Sequence, residues 1–359
     1  MLNTKWTKGK IQRYAGTGIP GYSGDGEKAE LAQLNGPAGL AIDKFDNVFI
    51  AEIHNNIIRR VDSTAGIITT IAGCGQKGFE GDGGLAVYAK LNGPEGVFVD
   101  AYGNIYIADT YNQRIRKVDA QTGIISTIAG TGDAGFNGDN IYACYSKLNC
   151  PAGVVVDSHG NVYFNDYKND RIRKISCDGI ISTFAGTGIH GYSGDGGPAD
   201  KAQINDVYGL GIDRDDNIYI MDSLNFSVRK VDARSGIIST VLGKGRPGPA
   251  VDFDSRYNSF IGGLVHDKGT IGIEAPHAVE VDSDGNIFVG DTGAYRIRII
   301  DIKQEDLVYT VAGNGIKGFS GDGGYALDAC ICVHGLRMDS NSNLYFVDFH
   351  NHIIRVIKF

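Results

Sequence analysis

Related segments recur along this chain, and at one position of the recurring phrase the side chain changes from copy to copy. The residues there are Ala38, Glu95, Ala152, Tyr208, His277 and His334. Two copies keep alanine; the others carry a carboxyl, a phenol and two imidazoles. These groups move protons near neutral pH or ligate metals. A repeated scaffold has no need for a different titratable group at one point of each copy. The residue before is proline in four copies, with Val207 and Val333 as exceptions. One step further out lie Gly36, Gly93, Cys150, Asp206, Ala275 and Cys332. Neighbouring corners supply Tyr111, Tyr167, Lys168, Phe349 and His350. Glu95, Tyr208, His277, His334 and Lys168 are therefore the catalytic candidates. Tyr111, Tyr167, Phe349, His350 and Asp206 are candidates to hold a substrate.

The elements that must position these residues follow from the repeat. A seventeen-residue phrase begins at Thr17, Cys74, Thr131, Thr187 and Asn314, and about forty repeating residues follow each copy but the last, which the shorter stretch Ile331–Phe359 follows. A fixed period of this kind marks a repeat architecture. From Leu91 to Gly130 the runs GVFVD, NIYIAD, RIRKVD and IISTIAG are rich in β-formers, and turn-forming residues separate them. Four antiparallel strands per repeat describe one propeller blade. Blades start near Leu34, Leu91, Leu148, Ile204, Ile273 and Ile331. The prediction is an all-β, six-bladed β-propeller of four-stranded antiparallel blades, forming a single domain over residues 1–359. The last blade ends one strand short, and KIQRYAG at Lys10–Gly16 matches the missing outer strand IISTIAG. An N-terminal strand should thus close the ring and leave no open edge. Long loops and the first residues of the inner strands share one face, so a central funnel on that face is where the candidates should lie.

The chain has 34 basic and 42 acidic residues, a net charge of −8. This argues against nucleic acid, which calls for a basic face. No run of eighteen apolar residues exists, so no membrane-spanning helix is expected. The sequence MLNTKWTKGKIQRYAG lacks the apolar core of a signal peptide. The six cysteines fall at unmatched repeat positions and read as reduced thiols, so a cytoplasmic monomer is expected.

The phrases GPxG at the first strand and NxYIADTxNxRIRKVD in the middle, with Asn351-His352-Ile353, resemble the NHL-repeat propellers along essentially the whole chain. The resemblance implies the fold. It leaves function open, because NHL propellers include enzymes and binding modules. The segment APHAVEVD around His277 is similar to the lyase domain of peptidylglycine amidating enzymes. That likeness implies a zinc ion held by His277 and, by position, His334, with Glu95 as an oxygen ligand. Cys330-Ile331-Cys332-Val333-His334 also places donors on alternate residues, which suits a metal or, equally, buried reduced thiols. Calcium on the repeated phrase aspartates is the lesser cofactor candidate. The recurring Asp25, Asp82, Asp139, Asp195 and Asp322, the strand-end Glu52, Asp109, Asp166, Asp222, Asp291 and Asp348, and the arginines of each third strand read as blade scaffold.

Between the fourth and fifth blades the phrase gives way to a longer segment, Lys244 to Gly272. It carries Phe253, Phe260 and other aromatics and reads as a lid over an apolar substrate. Two functions follow. One is a small-molecule enzyme of lyase, isomerase, cyclase or hydrolase type, using acid–base or metal-assisted chemistry in the funnel. The other is a non-catalytic propeller that binds a protein or small ligand through the same face.

Overall fold

In the second repeat the four β-rich runs become strands Pro94–Val99, Ile105–Asp109, Arg114–Val118 and Ile125–Ala129, hydrogen-bonded in that order. The second strand is buried along its whole length, as its unbroken run of apolar residues requires. The outermost strand alternates more, with Ser126 exposed beside buried Ile125. The same unit recurs six times, giving an all-β, six-bladed β-propeller of antiparallel four-stranded blades. The computed structural model describes residues 5–247, 252, 254–256, 264–267, 270–273 and 276–359. Within them the only helical pieces are 3-10 turns of three residues.

The sixth blade draws its strands from both ends of the chain. Val333–Met338, Leu344–Asp348 and Ile353–Lys358 supply three, and Lys10–Ala15 is the fourth, paired against Ile353–Lys358. This is the strand exchange that the repeat count predicts. Further bonds fasten it: Ile11 N–H donates to Gly324 O at 3.1 Å, and Ala326 N–H to Gly9 O at 2.8 Å.

The chain divides into two compact units, residues 14–188 and residues 1–13 with 189–359. In the first, Val97, Ile107, Leu91, Phe164 and Leu148 centre cores between successive blades. Gly96 has no room for a side chain, because a Cβ there would lie 1.9 Å from Ala152 O. In the second, Trp6 packs edge-on against Phe288 at 5.0 Å and Phe359 at 4.7 Å, joining Ile11 to a core that includes Phe346 and Leu336.

Each blade also carries a polar clamp. Asp109 is fully buried; its carboxylate accepts from Asn92 N–H at 2.7 Å and Asn112 Nδ2 at 2.8 Å, and pairs with Arg116 at 3.2 Å. Arg116 reaches on to Asp82 of the seventeen-residue phrase at 2.6 Å. Arg173 does the same with Asp166 and Asp139, Arg229 with Asp222 and Asp195, and Arg355 with Asp348 and Asp322. The repeated charges are thus an ion-pair and hydrogen-bond network that runs from buried strand-end carboxylates through buried arginines to part-exposed phrase aspartates, as read from the sequence.

The exceptional segment keeps one piece of this network. Asp252 accepts from Thr310 N–H at 2.9 Å and lies 3.7 Å from Arg298. That is the role of Asp25, which accepts from Thr70 N–H and pairs with Arg59. The phrase signature is lost in sequence there, but its aspartate is retained. Asp254–Ser255 then pairs with Leu307–Ala312, and Leu264–Asp267 and Thr270–Ile273 form a separate hairpin. Phe253 and Phe260, the proposed lid aromatics, lie outside the described residues.

Candidate functional site

A one-residue slip in strand pairing aims the variable position. In the second blade Pro94 opposes Asp109 but Gly96 opposes Ala108, so Glu95 is left over. The same slip follows Pro37, Pro151, Val207 and Val333, and so takes in Ala38, Ala152, Tyr208 and His334. Such bulges re-aim a side chain out of the regular alternation. A second device orients the approach to each strand. Gln113, at φ 54°, accepts from Cys150 N–H through Oε1 at 2.6 Å, and Asn56 accepts from Gly93 N–H at 2.9 Å.

The candidates within residues 14–188 gather around Glu95. Its carboxyl is partly buried and has no hydrogen bond or ion pair among the described residues. Loss of water raises its pKa from 4.5 to about 7. The charge acts on its surroundings: burial first and then Glu95 raise Tyr111, and burial, with Glu95 adding to it, raises Cys150. Tyr111 stands at the corner Thr110–Asn112, 52% exposed, with its ring against Gly93, where a Cβ would meet it at 2.4 Å. Lys168 is exposed on the turn Tyr167–Asn169; its Nζ sits 4.4 Å from the Tyr167 ring centre, and its charge reaches Cys150. Sequence reasoning named Glu95, Tyr111, Tyr167 and Lys168 but gave Cys150 no role. Its signal is a left-handed backbone, φ 53°, where Gly36 and Gly93 stand in the preceding blades.

The candidates within residues 189–359 form a continuous run of rings. Tyr208 meets His277 edge-on at 4.7 Å; His277 stacks on His334 at 4.4 Å with the planes 16° apart. His334 stacks on Phe349 at 4.6 Å, and Phe349 meets His350 edge-on at 5.2 Å. Both central imidazoles are kept neutral. Burial lowers His277 to about 4. Burial, then His277 and His350, hold His334 well below its usual value. His277 Nδ1 lies 3.1 Å from Thr292 Oγ1, a residue that sequence reasoning passed over. Asp206 takes φ 57° at the approach to its strand, as Cys150 does. The stacked pair offers two nitrogen donors, and no group of three or more His, Cys, Asp or Glu among the described residues is placed to hold a metal. This donor set falls short of the three protein ligands of a catalytic zinc site. Cys332 is buried, and its N–H donates to Asp348 at 3.0 Å. It fills the place of Asn35, whose N–H donates to Glu52, because the sixth blade is one residue shorter here.

Residues 74–137 match the model of the Teneurin NHL domain. The chain is 29% identical over 335 residues, 90% of its length, to Protein SUPPRESSOR OF QUENCHING 1, chloroplastic, of Arabidopsis thaliana. It is 24% identical over 84% of its length to NHL repeat-containing protein 2 of Bos taurus. It spans 30% and 43% of those relatives' own lengths. Among solved structures, virginiamycin B lyase from Staphylococcus aureus covers 98% of this chain, with 100% of its own covered, at 14% identity and a TM-score of 0.56. A catalytically inactive histidine-to-alanine variant of that lyase, solved with quinupristin, matches with a TM-score of 0.54. The repeats, the fold and these matches support an NHL-repeat propeller. Among the described residues no helix is long and apolar enough to cross a membrane.

Proposed function

We propose that this propeller is an enzyme that moves a proton on a small organic molecule, with Glu95 as the base. The observation that carries the reading is the Glu95 carboxyl. It stands in a strand bulge, without a hydrogen bond or ion pair among the described residues, at a repeat position where two sister blades hold alanine. A scaffold would pair or delete such a group, since an unpartnered carboxyl taken out of water is costly. A pKa near 7 is what a general base needs at neutral pH. In this reading Lys168 and Tyr111 hold the substrate beside Glu95. The Tyr208–His277–His334–Phe349 stack is a feature of the other unit by itself, with apolar ring faces and two neutral imidazoles open to a ligand of its own. Lyase, isomerase, cyclase and hydrolase chemistry all need such a proton transfer. A lyase on the same fold, inactivated by loss of one histidine, lends support by analogy only.

The reading also treats residues 1–359 as one monomeric propeller domain in a reducing compartment such as the cytoplasm, since no disulfide is formed among the described residues. The competing reading, a binding module, is favoured by the length of the relatives, of which this chain matches 30% and 43%. The test is turnover of a panel of small organic substrates, quinupristin among them, by the wild type and Glu95→Gln. The variant keeps the shape and removes the charge. Turnover should fall by about a hundredfold or more, the usual size of a general-base contribution, with folding intact. Turnover near wild type would remove Glu95 from the mechanism.

A further inference from the structure

The hydroxyl of Thr292 has one proton to give, and its surroundings decide where it goes. Thr292 Oγ1 lies 2.8 Å from Val333 O and 3.5 Å from Gly290 O. Both neighbours are carbonyl oxygens, which carry no hydrogen, so a contact at 2.8 Å requires the threonine proton to lie between the two oxygens. That leaves the lone pairs of Oγ1 for its remaining neighbour, His277 Nδ1, at 3.1 Å. A nitrogen facing a hydroxyl that has already spent its proton must be the donor.

We infer that Thr292 is a positioning residue that fixes His277 as the Nδ1–H tautomer, so that Nε2 presents a bare lone pair to a hydrogen-bond donor. Three further features hold the imidazole in this state. Thr292 is 3% exposed, so water does not compete freely for its hydroxyl. His334 stacks on one face of His277 and Tyr208 meets the ring edge-on, which limits rotation about the side chain. No carboxylate pairs with His277 among the described residues, and burial keeps the ring uncharged at neutral pH. An oxygen that fixes the proton on one ring nitrogen determines what the other offers. His277 is therefore an acceptor matched to an O–H, N–H or acidic C–H group of a ligand, not to an anion. An imidazolium would serve an anion; this ring is built to stay neutral.

The inference concerns a residue of the proposed site, but its test needs no substrate. Long-range proton–nitrogen correlation spectra of protein carrying isotope-labelled histidine report which ring nitrogen bears the proton. In the wild type at neutral pH, His277 should show a protonated Nδ1 and a bare Nε2. Thr292→Val keeps the shape and deletes the hydroxyl; His277 should then move to the Nε2–H form or to a mixture. Thr292→Ser restores the hydroxyl and should restore the wild-type pattern, which loss of packing alone would not explain. An Nε2–H tautomer in the wild type would overturn the inference, as would a His277 signal indifferent to Thr292→Val. If the valine variant does not fold, the wild-type spectrum still decides. Failure here leaves the role of Glu95 standing, and failure of Glu95→Gln to lose turnover leaves the tautomer standing.

Discussion

Two kinds of titratable residue in this protein carry opposite electrostatic burdens. Glu95 is raised by burial to about 7 and His277 is lowered by burial to about 4. The sign for His277 follows from counting protons. Between about 4 and 6.5 the unfolded imidazole binds a proton that the folded one refuses. Stability is then fully present above the unfolded value and is lost as pH falls through this window. Denaturant unfolding of the wild type should show that loss, and His277→Gln should shrink it by about 1–3 kcal/mol. Equal pH dependence in the two proteins would mean that the folded imidazole titrates normally. At this scale the sequence was informative where repeats could be compared: Glu95, Tyr208, His277 and His334 stood out because sister positions are alanine. Cys150 and Thr292 did not. A left-handed backbone at Cys150 and a shared hydroxyl proton at Thr292 exist only once the chain is folded.

At the scale of the strand and turn, the repeat separates scaffold from site. The clamp of Arg116 with Asp109 and Asp82 is copied through the blades because each corner has backbone N–H groups to satisfy, and one carboxylate serves both the arginine and the incoming loop. Arg116→Met leaves Asp109 buried without its partner. It should cost about 3–5 kcal/mol, the usual price of breaking a buried pair, measured by denaturant midpoint. A loss below about 1 kcal/mol would show that the pair contributes no more than a surface ion pair. Periodicity made the strands and the clamp legible in the sequence. It concealed Asp252, because a motif search reads spacing, whereas the fold needs only a carboxylate at Thr310 N–H. The bulges that aim Glu95 and His334 were equally invisible, since a one-residue slip leaves the pattern of residue types unchanged.

For the molecule as a whole, blade count and strand exchange were legible because the last repeat lacks an outer strand that the first residues resemble. Lys10–Ala15 completes that blade. Removing residues 1–16 should expose the edge of Ile353–Lys358 and strip Trp6 and Ile11 from their core. The expected result is aggregation or a melting temperature lowered by many degrees; a truncated chain that melts as the full one does would refute the exchange. The function proposed for the whole rests most heavily on one group. The most direct test is a carbon NMR titration of the Glu95 carboxyl, assigned by comparison with Glu95→Gln. The midpoint should lie at about 7, far above an ordinary glutamate. A midpoint near the ordinary 4.5 would mean a solvated carboxylate, a weaker base that burial has not tuned, and would remove Glu95 as the proposed base.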